Sequence, residues 1–303
     1  MNLDHTAYVF HQIHIDVARN ATDDFNLFHE PVKWQLIENN PFQGPIVLGF
    51  QLESLLESHI KKHRKAHNEE GLIEDHRLRF SNYQFNFANA VKPGDHVEIE
   101  IKKSQFKVTN DQPILSNRVV VKANDTLTLT GYKKETQNAL YLADADRSIW
   151  AGLRKCPDRS VLPASGYFLK RKYINVSNSK NFLCGSLVDQ QMYFDDLEEK
   201  TIFPEIFPCS LISCALLEKA WLNKHDFKKN PMVYSSHKIS VDRHCLGKLK
   251  SNSCLNILVS AVNNESTSFH CYGVIDDDCL LFRAIIALLP LKSILNSLLF
   301  SDR

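Results

Sequence analysis

The sequence predicts an α+β protein made of two copies of one unit, each an antiparallel sheet with a long helix packed on it. Three observations lead there. Segments of the first half return in the same order in the second: YVFHQIHIDV at 8–17 with YFLKRKYINV at 167–176, and LGFQLESLLE at 48–57 with CSLISCALLE at 209–218. The matched pairs lie 159 and 161 residues apart, the pattern of a tandem duplication. Each half also has one long apolar-periodic helix pattern. Strand-like runs with short connections follow it, which favours antiparallel pairing.

Taken in order, the first helix is GFQLESLLESHIKKHRKAH, with Phe50, Leu52, Leu55, Leu56 and Ile60 at helical spacing behind Gly49. Strand signals follow as RLRFSNYQFNF, HVEIEIKKSQF, NRVVVKA and TLTLTGYKK. The KPGD turn separates the first two, and its Pro93 and Gly94 suit a tight reversal. The second half repeats the plan with a helix around LISCALLEKAWL, then MVYSSHKISV, CLNILVSAV, SFHCYGVI and LLFRAIIALL. Between them, ETQNALYLADADRSIWAGLRKCPDRSVLPAS has the polar and proline punctuation of a connector. The expected organisation is residues 1–134, a connector at 135–164, and residues 165–303.

The 303 residues are 44% hydrophobic and 23% charged, a globular composition. A net charge of +1 argues against a broad nucleic-acid surface, so no nucleic acid is expected as partner. The first residues, MNLDHTAYVFHQIHI, lack a basic region followed by an apolar one, and no secretion signal is read. CLLFRAIIALLPLKSILNSLLF is interrupted by Arg283, Pro290 and Lys292, its apolar runs well short of the ~18 residues of a membrane span. No membrane partner and a cytoplasmic location are therefore expected. All eight cysteines lie at or after Cys156 and none forms a C-x-x-C pair, so neither a zinc ribbon nor a redox motif is expected. Disulfides are not expected either.

The stretch with most chemistry is TDDFNLFHE at 22–30, where Asp24, Asn26 and His29 fall close together. Alone it reads as a turn and helix cap. Gly49 at a helix start and the KPGD turn downstream change its weight. With PIVLGF at 45–50 and FNFANAVKPGDHVEIEI, the stretch resembles the MaoC-like, R-specific hydratase branch of the hotdog fold, over residues 8–134. That family's motif runs Asp-x-Asn-Pro-(aliphatic)-His. Asp24, Asn26 and His29 match it, while Leu27 and Phe28 replace the proline and the aliphatic residue. In the later phrase, Gly49 matches the glycine and Leu48 stands where the family has histidine. Val91, Pro93, Gly94 and Asp95 preserve the V-x-P-G-D turn.

The resemblance implies a double hotdog. It implies reversible hydration of a 2-enoyl thioester carried on coenzyme A or acyl carrier protein, without metal or other cofactor. Asp24 and His29 would be the acid–base pair, such groups contributing typically ~10²–10⁴-fold in rate. Gly49 would donate its N–H to the thioester oxygen, Asn26 would support the loop, and Leu48 and Phe50 would flank the substrate. A fused pair already supplies the sheet pairing that single units take from a partner, leaving a monomeric pseudo-dimer or a homodimer. A thioesterase and a non-catalytic acyl-thioester-binding protein on the same scaffold are the alternatives.

At offsets of 159 and 161, Asp24 and His29 fall on Leu183 and Val188, or on Gly185 and Gln190, and neither supplies an acid–base pair. FPEIFPCSLISCALLEKAW resembles the lead into the central helix of β-hydroxyacyl-ACP dehydratases through Phe203, Pro204 and Pro208. That family's histidine would fall near Thr201 and its helix acid near Cys214. The second half is expected to be non-catalytic, completing the sheet and shaping an acyl tunnel. Cys184, Cys209 and Cys214 read as small buried residues, since no base accompanies them. His59, His63 and His67 share one helix face, read as a solvated end. Lys61, Lys62, Arg64 and Lys65 there could meet an acidic carrier or phosphates.

Overall fold

The computed structural model describes residues 7–143, 148, 150, 152–262, 267–277 and 279–293. Strand β1 (Tyr8–Val9) leads into helix α1 (Gln12–Thr22), two 3-10 turns, the central helix α2 (Gly49–Ala66) and the short α3 (Glu70–Asp75). Strands β2 (Phe80–Phe87), β3 (His96–Ile101), β4 (Gln105–Thr109), β5 (Gln112–Ala123) and β6 (Thr126–Thr136) complete the first half. The second half runs β7 (Ser160–Val161), β8 (Phe168–Ile174), α4 (Val176–Gly185), β9 (Phe194–Asp195), β10 (Lys200–Thr201), α5 (Ile206–Ser210) and α6 (Ile212–Leu222). It ends with β11 (Met232–Asp242), α7 (Arg243–Leu246), β12 (Ser253–Ala261), β13 (Ser268–Ile275) and β14 (Cys279–Pro290).

Strands from both halves form one twelve-stranded antiparallel sheet in the order β1-β3-β5-β6-β2-β11-β14-β13-β12-β8-β7, with β4 also pairing β5. Read outward from the centre, β2-β6-β5-β3-β1 is matched by β11-β14-β13-β12-β8, so the duplication is written in the topology. The halves meet where β2 pairs β11, with Phe80 opposite Asp242 and Asn86 opposite Ser236. This join gives each half's edge strand a partner and leaves no open central edge. The core lies between the sheet and the helices α2 and α5–α6, with Leu52, Leu55, Leu56, Phe207, Ile212 and Ala215 buried.

Several boundaries differ from the sequence expectation. HVEIEIKKSQF is not one strand: the run breaks after Ile101, and β3 and β4 pair successive parts of the longer β5. Asn110 and Asp111, and again Asn124 and Asp125, take positive φ, so each pair forms a tight two-residue hairpin turn. LLFRAIIALL, by contrast, is a strand as expected, lying within β14 (Cys279–Pro290). No described helix is long and apolar enough to cross a membrane. Within the expected connector, β7 already pairs β8, while residues 144–147, 149 and 151 lie outside the described residues, as do 294–303 of the final apolar stretch.

The repeat register also shifts. α1 starts behind His11 and α4 behind Asn175, so these helices correspond at an offset of 164, not 159. The N–H of Asp24 bonds the carbonyl of Arg19, and that of Val188 bonds Leu183 in the same way. Likewise the N–H of His29 bonds Asn26 and that of Tyr193 bonds Gln190. The second-half counterparts of Asp24 and His29 are therefore Val188 and Tyr193.

α1 and α4 cross closely. A Cβ on Gly185 would sit 2.6 Å from the His14 carbonyl oxygen and 2.8 Å from the Ala18 nitrogen, a contact only glycine permits. Gln51 of α2 ties this crossing together, its Nε2 donating to the carbonyls of His14 (3.2 Å) and Gly185 (2.6 Å). A buried ionic cluster spans the halves, Glu135 pairing with Arg64 and Arg243 while Lys133 reaches Glu205 at 3.0 Å. Contrary to the composition-based expectation, Cys245 and Cys279 form a disulfide with Cα atoms 5.9 Å apart. Packing of α7 on β14 brings them together, and a separation of 34 residues leaves no close-pair signal in the sequence.

Candidate active site

The site begins where α1 ends. Asp23 closes the helix in a left-handed conformation (φ 54°), which turns the chain so that Asp24 points inward. The Asp24 Oδ1 accepts the Asn26 N–H at 2.9 Å, and the Asn26 Oδ1 accepts the Phe28 N–H at 3.2 Å, capping the 3-10 turn Leu27–His29. The turn-and-cap reading of TDDFNLFHE is thus correct for Asn26, and it is what aims the neighbouring acid and imidazole. Arg19 holds the loop from behind, its Nε donating to the Asp24 carbonyl at 3.3 Å while its guanidinium pairs with Asp16 and Glu30.

Asp24 and His29 are 4% and 5% exposed. His29 Nδ1 lies 2.8 Å from the Ile46 carbonyl oxygen, which can only accept, so Nδ1 carries the proton. Nε2 is left with its lone pair, 4.0 Å from Asp24 Oδ2. That gap is too long for a direct hydrogen bond. An oxygen between the two, donating a hydrogen to each at an ordinary ~2.8 Å, fits it. Burial lowers the His29 pKa below its usual 6.5, against the opposing charge of Asp24, so the ring is neutral at pH 7.

Gly49 opens α2, and its N–H has no acceptor among the described residues. A Cβ there would lie 3.0 Å from Phe87 Cζ and 3.6 Å from Tyr234 Cδ2, so glycine keeps the helix start close to these rings. Asp24, Asn26, His29 and Gly49 all line one cavity of about 710 Å³, whose far walls are largely apolar, with Leu52, Phe87, Leu216 and Leu288 among them. Leu48 and Phe50, expected beside the substrate, do not line it. Leu48 is 3% exposed with its N–H bonded to Gln51 Oε1, and Phe50 packs against the His237 ring at 4.7 Å. Both flank Gly49 in sequence, but the helix start turns their side chains into the core.

The second half contributes residues that the sequence reading did not single out. Ser213 on α6 and Tyr234 on β11 line the cavity, their hydroxyls 2.7 Å apart, and Lys219 and His225 line it too. Only the pairing of β11 with β2 brings them there, and a repeat compared with itself carries no signal of that. The basic end of α2, by contrast, is not at the cavity. Arg64 is buried against Glu135, the Lys61 ammonium lies 4.6 Å from the Tyr193 ring centroid, and His59 Nε2 bonds the Tyr8 hydroxyl at 2.7 Å. Burial pushes the His59 pKa down to about 4.

The two central-helix starts differ in the way that matters for chemistry. Nine residues past the N-cap of α2, Glu57 reaches across and accepts the N–H groups of Glu205 (3.0 Å) and Ile206 (2.9 Å) at the start of α5. The Tyr193 hydroxyl donates to the same carboxylate at 3.0 Å. Counted in the same way from Glu205, the N-cap of α5, the second half has Cys214, whose thiol turns to Glu218, so the central-helix starts correspond at an offset of 157, not 161. The start of α5 is therefore filled by a buried carboxylate, while that of α2 opens on the cavity.

No protein-family model matches the chain. No curated protein matches it by sequence. Solved structures resemble it over nearly its whole length. A conserved hypothetical protein of Mycobacterium tuberculosis, described as essential for survival during infection and as a double hotdog, is 10% identical with a TM-score of 0.56 over 95% of this chain and 94% of that one. A MaoC-like dehydratase from Phytophthora capsici is 8% identical with a TM-score of 0.53, covering 95% of this chain and 99% of that one. The peroxisomal multifunctional enzyme type 2 of Drosophila melanogaster is 10% identical with a TM-score of 0.54, covering 94% of this chain and 48% of that one. At such identities the likeness establishes the fold, a double hotdog.

Proposed function

We propose that this chain is a hydro-lyase adding water to, and removing it from, the 2,3-double bond of an enoyl thioester. The observation that carries the reading is the buried Asp24–His29 pair, its two free acceptors 4.0 Å apart on the wall of a cavity that Gly49 also lines. A carboxylate and a neutral imidazole are both acceptors. A water between them donates both hydrogens and turns a lone pair to the substrate.

In the hydration direction that lone pair bonds the β-carbon as one proton passes to Asp24 or His29. Charge moves to the thioester oxygen, where the Gly49 N–H at the positive end of α2 meets it. The protonated side chain then returns a proton to the α-carbon, and the enolate closes to the 3-hydroxyacyl thioester. Dehydration is the same path reversed. Asn26 keeps the loop in register, and the apolar cavity takes the acyl chain.

The thioester's carrier would be coenzyme A or an acyl carrier protein. Lys219 of α6 and His225 line the cavity, and Lys224, Lys228 and Lys229 are exposed on the loop that carries His225, a better-placed partner for carrier phosphates than the α2 end. The second half would act as the non-catalytic copy, since Val188, Tyr193 and the Glu57-filled α5 start offer no acid–base pair. The test is purified protein with crotonyl-CoA and longer 2-enoyl thioesters. Loss of the conjugated-thioester absorbance without release of free thiol is expected. Thiol release would make it a thioesterase, and tight binding without turnover a carrier-binding protein.

A further inference from the structure

Ser213 and Tyr234 come from the half that lacks an acid–base pair, yet both line the cavity. Their hydroxyls, 2.7 Å apart, hold two O–H hydrogens and use one between them. Whichever group donates within the pair, one hydrogen remains, and it has no acceptor among the described residues.

The Tyr234 ring is fixed by the same helix that carries Gly49. It meets Phe50 edge-to-face at 5.9 Å and the His237 ring at 4.4 Å, and His237 Nδ1 is bonded to Glu53 Oε1 at 2.6 Å, both side chains being fully buried. Gly49, Phe50 and Glu53 occupy the first turns of α2, so one helix start places both the backbone N–H and the tyrosine ring. The position before Gly49, polar in the family the first half resembles, is Leu48 and faces the core.

We propose that the Ser213–Tyr234 hydroxyl pair is a second donor to the thioester carbonyl oxygen, acting together with the Gly49 N–H. The assignment rests on the hydration reading for its reaction but not for its contact with the thioester. Burial and the nearby charge of Asp24 raise the Tyr234 pKa, so the phenol keeps its proton and can only donate or accept a hydrogen bond. The half without an acid–base pair would then supply half of the oxygen's binding site, and neither half would be active alone.

Tyr234→Phe removes the hydroxyl and keeps the ring. Its hydration turnover should fall about 10²-fold, as for loss of one oxyanion donor, with KM changed much less, the signature of an interaction made in the transition state. A conjugated dienoyl thioester gives a readout independent of turnover. A donor on its carbonyl shifts the absorbance to longer wavelength on binding, and the shift should shrink in Tyr234→Phe. Ser213→Ala should move both readouts the same way, and it carries the test should Tyr234→Phe fail to fold. Turnover within tenfold of wild type, or a full spectral shift in the variants, overturns the assignment. Should wild type bind the dienoyl thioester with a Tyr234-dependent shift and never hydrate an enoyl thioester, the hydroxyl assignment stands and the hydration reading falls.

Discussion

His29 shows how one hydrogen bond decides chemistry. Because Nδ1–H is spent on the Ile46 carbonyl, the ring offers Nε2 as a base, and burial keeps it neutral. Protonation in acid would remove that base. Hydration kcat/KM should therefore be level down to about pH 6.5 and fall only below it, and the His29 step of that fall should be missing from the residual activity of His29→Gln. A pH–rate profile of both proteins checks this. The pair itself was legible in the sequence, since Asp24, Asn26 and His29 lie on one turn whose spacing is local. Leu48 and Phe50 were misread because adjacency to Gly49 in sequence says nothing of which way a helix start turns its side chains. Ser213 and Tyr234 were invisible, being held to the site only by contacts across the halves.

Among elements, α2 and the strands that follow it were readable from periodicity, because an amphipathic face and short turns impose their pattern locally. What was not readable is how α1 and α4 meet, and hence the 164-residue register of the repeat. The close approach at Gly185 sets it. Gly185→Ala would press a methyl onto backbone atoms of His14 and Ala18 that cannot move aside without parting the helices. Denaturant unfolding should show a loss of about 1–3 kcal/mol, the usual cost of overpacking. Loss of nothing measurable would mean that the crossing is looser than these distances. The break of HVEIEIKKSQF into β3 and β4 has a similar origin, in pairing to a partner strand that local alternation does not reveal.

For the whole molecule, the duplication provides one continuous sheet and one asymmetric pair of helix starts. The ionic cluster around Glu135 joins α2, β6 and the segment after β11. Arg243, Arg64 and Lys133 hold its carboxyl far below the usual 4.5, against the desolvation that would raise it. A depressed carboxyl contributes stability above about pH 4.5 that is lost as pH falls toward its folded value. His59 adds an earlier loss, since the unfolded chain takes up its proton below about 6.5 and the folded one only near 4. Glu135→Gln should lower stability at pH 7 by about 3–5 kcal/mol, because it leaves buried cations unpaired. It should also flatten the acid limb below pH 4.5. Urea melts of wild type and variant across pH 3–8 measure both effects, and an unchanged acid limb would remove Glu135 from the account.

That Asp24 and His29 act together on one oxygen is tested most directly by hydration turnover of Asp24→Asn, His29→Gln and the double variant. Groups that share one water fail as a unit. Each single change should cost about 10²-fold or more, and the double should be hardly worse than the poorer single. Independent, multiplying losses, or a single variant close to wild type, would contradict it.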